Sequence, residues 1–274
     1  MLKSNDLINK VKSYNKFLNP ETLDKAYNFA VKAHENQKRH SGDPYVIHPV
    51  AVANILTELK LDSATIATGL LHDTIEDTHA TYQTIKQEFG QEVADLVEGV
   101  TKISELENQA KANSRAENFR KLIIATSKDI RVLLVKIADR LHNMRTIHSI
   151  DKQEKKERIA RETMEIYSPL ADRMGMNRIR DELEDLSFEV LNPKARKLIK
   201  DRLDKIKENN LISFNSVADE FTKLLNENDL SATIYGREKT PFSLWRKMQS
   251  KRISLEQITD IMGFRIILND ISSC

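Results

Sequence analysis

Apolar residues recur at spacings of three and four positions along most of this chain. The segments VAVANILTEL and ENFRKLIIAT are examples, and the pattern holds from about residue 21 to about residue 225, as in amphipathic α-helices. Seven glycines and six prolines among 274 residues leave few turn signals. The pattern therefore predicts that the first two thirds of the chain are all-helical.

Helix starts are marked by a capping residue or an early proline ahead of a periodic run. Three pairs of residues fit this description: Asn19-Pro20, His48-Pro49 and Asp62-Ser63. From the last pair we predict one helix that continues through Asp77.

The pattern changes after Asn192-Pro193. The segment KARKLIKDRLDKIKENN carries seven basic and three acidic residues, and the segments SATIYG and GFRIIL are then typical of short strands flanking a helix, PFSLWRKMQSK. We predict a helical domain at residues 1–195, a helical linker at 196–230 and the start of a small α/β domain at 231–274.

Charge and cysteine usage narrow the class of protein. The 43 basic residues nearly balance the 41 acidic ones, so no overall field favours nucleic acid, and any anion recognition must be local. Cys274 is the sole cysteine, which excludes an internal disulfide and favours a reducing compartment. The start MLKSNDLINK has no apolar stretch behind its lysines, and no run approaches about eighteen apolar residues. We expect a cytoplasmic protein that binds neither nucleic acid nor a membrane.

The stretch LLHDTIEDT crowds one histidine and three carboxylates into two helical turns. At about 100° per residue, His72, Asp73, Glu76 and Asp77 share one side of the predicted helix. Asp73 and Asp77, one turn apart, repel by about a few tenths of a kcal/mol when exposed, and by more when buried, unless a cation or proton compensates. A divalent metal is one compensator, and a solvated acidic surface is the ordinary alternative.

Two further segments supply polar groups of the same kind. In DIRVLLVKIADRLHNMRTI, one helix face carries Lys136, Asp139, Asn143 and Thr146, a row that favours the lining of a cavity. In SGDPYVIHP, His48 stands at a helix entry, from which its ring can project inward. Taken singly, Asp139 is more often a salt-bridge partner and His48 a capping or packing residue.

Together these segments resemble the HD superfamily, whose signature is H…HD…D, and more closely the bifunctional Rel/SpoT homologues that make and break the alarmone (p)ppGpp. The resemblance rests on SGDPYVIHP, GLLHDTIEDT, GVTKIS, ENFRKLIIATSKDIRVLLVKIADRLHNMRT, ETMEIYSPLADRMGM and ELEDLSFEVLNP, in the family's order and spacing. It implies a mainly α fold: an HD-superfamily helical domain, a helical linker region, and the incomplete start of an α/β nucleotidyltransferase-like synthetase domain.

The resemblance also implies an activity, the Mn²⁺-dependent hydrolysis of the 3′-diphosphate of ppGpp or pppGpp to GDP or GTP and pyrophosphate. By analogy with the family, four residues would hold Mn²⁺, namely His48, His72, Asp73 and Asp139. Glu76 and Asp77 match the catalytic ED motif, which orients and deprotonates the attacking water. The positions around the guanine and phosphates match Arg39, His40, Ser41, Asn143 and Thr146, although the family commonly has lysine where this chain has His40.

The C-terminal segments GREKTPFSLWRKMQSK and DIMGFRIIL resemble the opening of the family's synthetase domain. Its ATP-contacting positions match Arg237, Lys239, Ser243 and Lys247. In the family, a second acidic metal ligand lies well downstream of the position of Asp260. We therefore expect no synthetase activity from this polypeptide.

Two alternative functions stay open. One is an HD-domain phosphohydrolase acting on another nucleotide, such as a dNTP or a cyclic nucleotide. The other is a non-catalytic subunit that binds the alarmone or a partner protein, in which an exposed sheet edge promotes formation of a homo-oligomer.

Overall fold

The computed structural model describes residues 2–16, 18–109, 128–210, 214–228, 230–258 and 260–272. The segment ENFRKLIIAT and Cys274 lie outside these ranges, so the helix predicted for that segment stays a prediction. By its internal contacts the chain forms two compact units, Met1–Lys156 and Glu157–Cys274. The predicted domain boundaries at residues 195 and 230 are a separate, functional division and remain a prediction.

The described part of the first unit is mostly helical, with an irregular segment at residues 34–46 that carries a single β-bridge from Lys38 to Pro44. Its helices are α1 (Ser4–Lys12), α2 (Pro20–Ala33), α3 (Ile47–Glu58), α4 (Ser63–Leu71), α5 (Thr74–Asp77), α6 (Tyr82–Phe89), α7 (Gln91–Gln109) and α8 (Ile130–Arg145), with a 3₁₀ turn at Ile147–Ser149. This confirms the helical prediction made from the spacing of apolar residues. Among the described helices of the whole chain, none combines the length and the apolar character that crossing a bilayer requires.

Two of the three predicted helix starts are confirmed by their caps. The Asn19 side chain accepts a hydrogen bond from the Glu21 amide at 3.0 Å, and that of Asp62 accepts one from the Thr65 amide at 2.8 Å. The third helix begins at Ile47, one residue before His48. His48 therefore lies in the first turn of α3 and not at its cap.

The prediction of one continuous helix from Asp62-Ser63 through Asp77 is wrong. Helix α4 ends at Leu71, His72 and Asp73 form a turn, and α5 follows as a single turn of helix. Side chains explain the break, because His72 Nδ1 lies 2.9 Å from the Gly69 carbonyl and the Thr74 hydroxyl donates to the Leu71 carbonyl at 2.6 Å. Both carbonyls are ones that a continuous helix would use for its backbone ladder.

The central helices α3, α4 and α8 position the site. Helix α4 is buried at every residue from Thr65 to Leu71. Helix α3 approaches closely at Gly69, where a Cβ atom would lie 2.6 Å from Leu56 Cδ1 and 3.3 Å from Ala53 Cα. On α8 most of the apolar face is buried, apart from Ile130 at its start, and Lys136 and Asp139 on the polar face are buried as well. The polar face is therefore buried or half-buried and is not a solvated surface.

The second unit continues the helices and adds a small sheet. Its elements are α9 (Gln153–Glu162, which begins in the first unit), a π-helical turn (Thr163–Tyr167), α10 (Ser168–Arg173), α11 (Asn177–Leu191), α12 (Pro193–Asn210), α13 (Phe214–Glu227), β1 (Ala232–Glu238), α14 (Pro241–Lys251) and β2 (Met262–Leu268). The strands pair antiparallel, with Ala232 opposite Leu268 and Glu238 opposite Met262. Both predicted strands and the helix between them are confirmed, and so is a mainly α fold with the start of an α/β element.

A compact apolar cluster forms the core of this unit. Phe188 and Phe242 lie 5.5 Å apart between ring centroids, and Leu244 and Leu255 are buried beside them. Burying each large apolar side chain contributes about 1.5–3 kcal/mol, so this cluster holds α14 against α11 and α12.

Candidate metal centre

Four predicted metal ligands come from three separate segments of the first unit. His48 lies in the first turn of α3, His72 and Asp73 form the turn after α4, and Asp139 lies in the middle of α8. The two histidines are almost wholly buried, with 2% and 1% of their surfaces exposed. The fold thus brings nitrogen and oxygen donors from distant positions into one largely buried place.

The donor atoms of these side chains converge. His48 Nε2 lies 3.1 Å from Asp139 Oδ1 and 3.5 Å from Asp73 Oδ2. His72 Nε2 lies 3.1 Å from Asp73 Oδ1 and 3.9 Å from Asp139 Oδ1. One donor atom each from His48, His72 and Asp139 lies within 4.8 Å of the others, a spacing that fits a shared metal ion.

The hydrogen bonds of His72 fix which of its ring nitrogens can bind a cation. Its Nδ1 lies 2.9 Å from the Gly69 carbonyl, which can only accept, so Nδ1 carries the proton in the neutral ring. Its Nε2 is buried and has no hydrogen-bond partner within the described part of the chain. A lone pair that faces carboxylate oxygens in a buried place is unfavourable without a cation, and the donor set therefore fits a divalent metal.

A second imidazole orients His48. The Nδ1 atoms of His48 and His142 lie 2.8 Å apart, so one of the two rings donates to the other. Burial, assisted by the neighbouring His48 and Arg39, lowers the pKa of His142 to about 3, and burial also lowers the pKa of His48. With both rings neutral, donation from His48 Nδ1 leaves its Nε2 unprotonated toward the carboxylates.

Asp139 is held in place from its own helix. Lys136 Nζ donates to its Oδ2 at 3.1 Å, and Asn143 Nδ2 donates to its Oδ1 at 2.6 Å. Burial by itself would raise the pKa of Asp139, but the Lys136 ammonium and the two imidazoles hold it well below the ordinary value. Asp139 is therefore an ionised carboxylate, as a metal ligand would need to be.

Tyr45 joins two of the carboxylates. Its hydroxyl lies 2.8 Å from Asp73 Oδ2 and 2.8 Å from Asp77 Oδ2, and its ring stacks on His34 with centroids 4.7 Å apart. Burial and the two neighbouring charges raise the pKa of Tyr45, so the phenol keeps its proton. One hydroxyl proton thus serves two carboxylates.

The Asp73 carboxyl group is influenced by the two imidazoles. Burial by itself would raise the pKa of Asp73, but His72 and His48 outweigh it and lower that pKa.

The two carboxylates of the predicted catalytic pair face different partners. The Tyr45 hydroxyl donates to Asp77, while the carboxyl group of Glu76 is influenced by Lys136 on α8 and by Ser104 on α7. Burial of the Glu76 carboxyl group raises its pKa, and Lys136 and Ser104 only partly oppose this. A carboxylate with a raised pKa beside a metal set suits a proton acceptor.

Three of the five predicted substrate residues lie together. Arg39 Nη2 donates to Asn143 Oδ1 at 2.9 Å and lies 3.4 Å from Thr146 Oγ1. A tight turn holds Arg39, because Gly42, at φ +88°, donates its amide to the Arg39 carbonyl at 2.9 Å. The other two, His40 and Ser41, are exposed on this turn, and Ser41 donates to Asp43 at 2.8 Å.

In the second unit, the residues matched to ATP contacts have intramolecular partners. Arg237 forms an ion pair with Asp181, and Lys239 and Lys247 both pair with Asp260. The Ser243 amide donates to the Thr240 hydroxyl at 3.3 Å, which caps α14.

Sequence reasoning placed Lys136 on one helix face with Asp139 but named no contact for it, and it did not single out Tyr45 or Ser104. Tyr45 stands three residues before His48, Ser104 ends the segment GVTKIS, and Lys136 stands one helical turn before Asp139. The contact between Lys136 and Asp139 could have been predicted from the sequence, because residues three apart on a helix are neighbours. The other two contacts depend on how separate helices pack.

Two family descriptions match the chain. Residues 26–177 match the HD domain, which is more than half of the chain. Residues 236–274 match the region found in RelA / SpoT proteins.

Curated relatives match the whole chain or nearly so. The GTP pyrophosphokinase rsh of Brucella melitensis biotype 1 is 48% identical over 274 residues, which are 100% of this chain and 36% of the relative. The bifunctional (p)ppGpp synthase/hydrolase SpoT of Escherichia coli strain K12 is 48% identical over 252 residues, 92% of this chain and 36% of the relative. The chain thus spans about a third of the length of these relatives. A solved metazoan orthologue of SpoT aligns with a TM-score of 0.48 and 24% identity over 63% of this chain and 96% of the other.

Proposed function

This chain belongs to the HD domain family and, within it, to the Rel/SpoT homologues, and from that membership we propose that its first unit hydrolyses (p)ppGpp. The reaction takes water and the 3′-diphosphate of ppGpp or pppGpp and gives pyrophosphate with GDP or GTP. The water oxygen bonds to phosphorus, the bond from phosphorus to the 3′ oxygen breaks, and that oxygen takes a proton. SpoT of Escherichia coli, which the chain resembles, is named as a (p)ppGpp synthase/hydrolase.

The observation that carries this proposal is the buried His72 Nε2, unpartnered within the described residues and facing the carboxylates of Asp73 and Asp139. With His48 these residues form a set of two imidazoles and two carboxylates, for which we propose Mn²⁺ as the ion. When bound, the cation supplies positive charge that favours deprotonation of water and offsets the charge developing on the phosphate.

The chain's own residues provide the acid–base groups. Glu76 accepts the proton of the attacking water, as its raised pKa allows. Asp77, held by the hydroxyl of Tyr45, orients that water. Neither carboxylate is needed as a ligand in this scheme, so their loss affects turnover more than metal affinity.

Arg39, Asn143 and Thr146 bind the guanine end of the substrate. The guanidinium of Arg39 is planar and stacks well on a base, and the amide of Asn143 can read a base edge. Ser41 and His40 lie on the exposed turn beside Arg39. In this scheme Ser41 adds to the contacts around the guanine, and His40 contacts a phosphate. Each of these assignments extends the family's positions to the matching residues of this chain.

We further propose that the 274-residue polypeptide makes no (p)ppGpp. The cations of the second unit that match ATP contacts, Arg237, Lys239 and Lys247, are engaged by Asp181 and Asp260. A cytoplasmic location and self-association remain predictions.

The test is to incubate the purified chain with ppGpp and Mn²⁺, with and without a chelator, and to measure GDP and pyrophosphate. We expect both products with Mn²⁺, none with the chelator, and no ppGpp from GDP and ATP. Turnover of dGTP in place of ppGpp would instead favour the other phosphohydrolase function. Binding of ppGpp without turnover would favour the non-catalytic function.

A matched variant separates chemistry from metal binding. Glu76→Gln keeps the size of the side chain and removes the proton acceptor, so we expect turnover to fall about 10²- to 10⁴-fold. Calorimetry should show Mn²⁺ bound by this variant as by the wild type. Loss of Mn²⁺ binding in Glu76→Gln would contradict the assigned role.

A further inference from the structure

Gln37 is a half-buried amide that the proposed mechanism does not use. It lies on the irregular segment after α2, two residues before Arg39. The two polar groups of its backbone and the two of its side chain all have hydrogen-bond partners. An amide bonded on every side holds separate pieces of chain together, and its partners show which pieces these are.

The backbone of Gln37 supports the turn that carries Arg39. Its amide donates to the His34 carbonyl at 3.0 Å, and its carbonyl accepts from the Tyr45 amide at 2.9 Å. Within the turn, the Arg39 amide donates to the Asp43 carbonyl at 2.9 Å. Because these are backbone bonds, a change of the Gln37 side chain leaves the turn with its own support.

The side chain of Gln37 reaches a different element, α5. Its Nε2 donates to the Asp77 carbonyl at 2.6 Å, and its Oε1 lies 2.7 Å from His34 Nδ1. A backbone carbonyl can only accept, so the amide nitrogen faces Asp77 and the amide oxygen accepts from His34. His34 is 1% exposed and directly follows α2. The amide therefore joins a fixed ring at the end of α2 to the backbone of α5.

Helix α5 depends on support from outside itself. It has only four residues, too few for a stable isolated helix, and the last carbonyls of any helix lack partners within it. Its own bonds are local: the Asp77 amide donates to the Asp73 carbonyl at 2.9 Å, and the Thr78 hydroxyl donates to the Thr74 carbonyl at 2.6 Å.

Asp77 is thus held at two points from the segment between α2 and α3. Gln37 bonds its backbone carbonyl, and the Tyr45 hydroxyl bonds its carboxylate. Two bonds to different parts of one residue fix its orientation as well as its place.

We propose that Gln37 is a positioning residue that fixes the backbone of Asp77, and with it Glu76, to the segment that carries Arg39. The residues that activate water and the residue that binds guanine then share one support. This inference rests on the proposed function, because it takes Glu76 and Asp77 as the residues that act on water.

The first test is steady-state kinetics of Gln37→Met on the full chain with ppGpp and Mn²⁺. Methionine keeps the length of the side chain and removes both of its hydrogen bonds. We expect kcat to fall about 10- to 100-fold, the effect of a small misplacement of catalytic groups. The KM for ppGpp and the calorimetric Kd for Mn²⁺ should stay unchanged. A raised KM at unchanged kcat would overturn the inference.

A second variant separates the two side-chain bonds. Gln37→Glu keeps an acceptor for His34 and removes the donor to the Asp77 carbonyl. We expect its kcat to be as low as that of Gln37→Met, whereas activity near that of the wild type would show that only the bond to His34 matters and would refute the tie to Asp77. Gln83→Met, on the exposed face of α6, is the matched control and should keep the full kcat.

Thermal unfolding distinguishes positioning from support of the whole fold. The bond to the Asp77 carbonyl is exposed, so water can replace the lost donor and the melting temperature should change little in both Gln37 variants. A fall in melting temperature that accounts for the lost activity would contradict the assigned role.

Hydrogen exchange of the metal-free protein gives a readout that does not depend on activity. The Asp77 amide should exchange about fivefold faster in both Gln37 variants than in the wild type and in Gln83→Met, the change expected from one lost hydrogen bond. Unchanged exchange would refute the tie. Absence of ppGpp hydrolysis by the wild type, together with faster exchange in the variants, would refute the proposed function and leave the tie intact.

Discussion

The residues that match functional positions of the family differ between the two units in how far their side chains are exposed. In the first unit, the side chains of His48, His72 and Asp139 are at most 8% exposed. In the second unit, the Asp260 side chain is 50% exposed between Lys239 and Lys247, and that of Arg237 is 54% exposed beside Asp181.

This difference shows what makes a polar cluster a site. Exposed ion pairs satisfy each other and contribute about 0–1 kcal/mol each, so those of the second unit require no ligand. The buried donors of the first unit point lone pairs at one another, which a bound cation relieves. The sequence motifs of the two units are of comparable specificity. Those of the first unit form a buried set of donors that fits a metal ion, and those of the second unit form ion pairs.

Removing one carboxylate from each unit gives the largest expected contrast. Asp73→Ala should lower ppGpp turnover about 10³-fold or more, because it removes a donor from the buried set. It should also abolish the stabilisation by Mn²⁺, which for a bound metal amounts to about 2.7 kcal/mol at a hundredfold excess over Kd. Thermal unfolding with and without Mn²⁺ measures this, and Asp260→Ala is the control that should keep the full response. Retained Mn²⁺ stabilisation in Asp73→Ala would contradict the assignment.

Removing one phenol hydroxyl from each unit should give a smaller contrast. Tyr45→Phe deletes the proton shared by Asp73 and Asp77, and we expect turnover to fall about 10- to 100-fold, as for other groups that orient ligands. Tyr235, which is 57% exposed on β1, offers the matched variant Tyr235→Phe, for which no change is expected. Steady-state kinetics decide, and equal kcat values for the two variants would remove Tyr45 from the site.

Adding one methyl group to each unit tests packing. In Gly69→Ala the new Cβ would meet Leu56 Cδ1 at 2.6 Å and Ala53 Cα at 3.3 Å, so we expect a loss of about 1–3 kcal/mol of stability. In Gly263→Ala the new Cβ has nothing within 4 Å among the described atoms, so its unfolding should match that of the wild type. Chemical denaturation measures both, and an unchanged midpoint for Gly69→Ala would show that α3 yields easily.

The smallest expected effects are on the pH dependence of stability, from one carboxyl group in each unit. The two groups, Asp129 and Glu184, should shift stability with pH in opposite directions. Hydrogen bonds from Arg131 lower the pKa of Asp129, so its stabilising contribution is present above its unfolded pKa and is lost as pH falls through the folded pKa. Burial raises the pKa of Glu184, although Arg246 opposes this, so stability is greater below its unfolded pKa and falls as pH rises through the folded pKa.

The matched variants follow from these signs. Asp129→Asn should be less stable than the wild type at neutral pH by about a few tenths of a kcal/mol, and the gap should close in acid. Glu184→Gln should gain stability relative to the wild type as pH rises. Thermal unfolding across pH 3–7 checks both, and parallel curves for the two variants would contradict the assigned shifts.

Local signals in the sequence determined much of this protein. The spacing of apolar residues predicted the described helices, Asn19 and Asp62 predicted two helix starts, and the segments SATIYG and GFRIIL predicted the two strands. These succeeded because hydrophobic period and capping act over a few neighbouring residues. The motifs also named His48, His72, Asp73 and Asp139, which the fold brings together.

Tertiary structure alone decided how those residues are arranged. The break of the helix at His72 and Asp73 is the exception, because it is accompanied by local bonds from side chains to the Gly69 and Leu71 carbonyls, which the apolar period does not predict. The bond between His48 and His142 and the link from Lys136 to Ser104 join segments far apart in the chain. A periodic pattern specifies which side of its own helix a residue occupies, but the partner that it meets there depends on how separate helices pack.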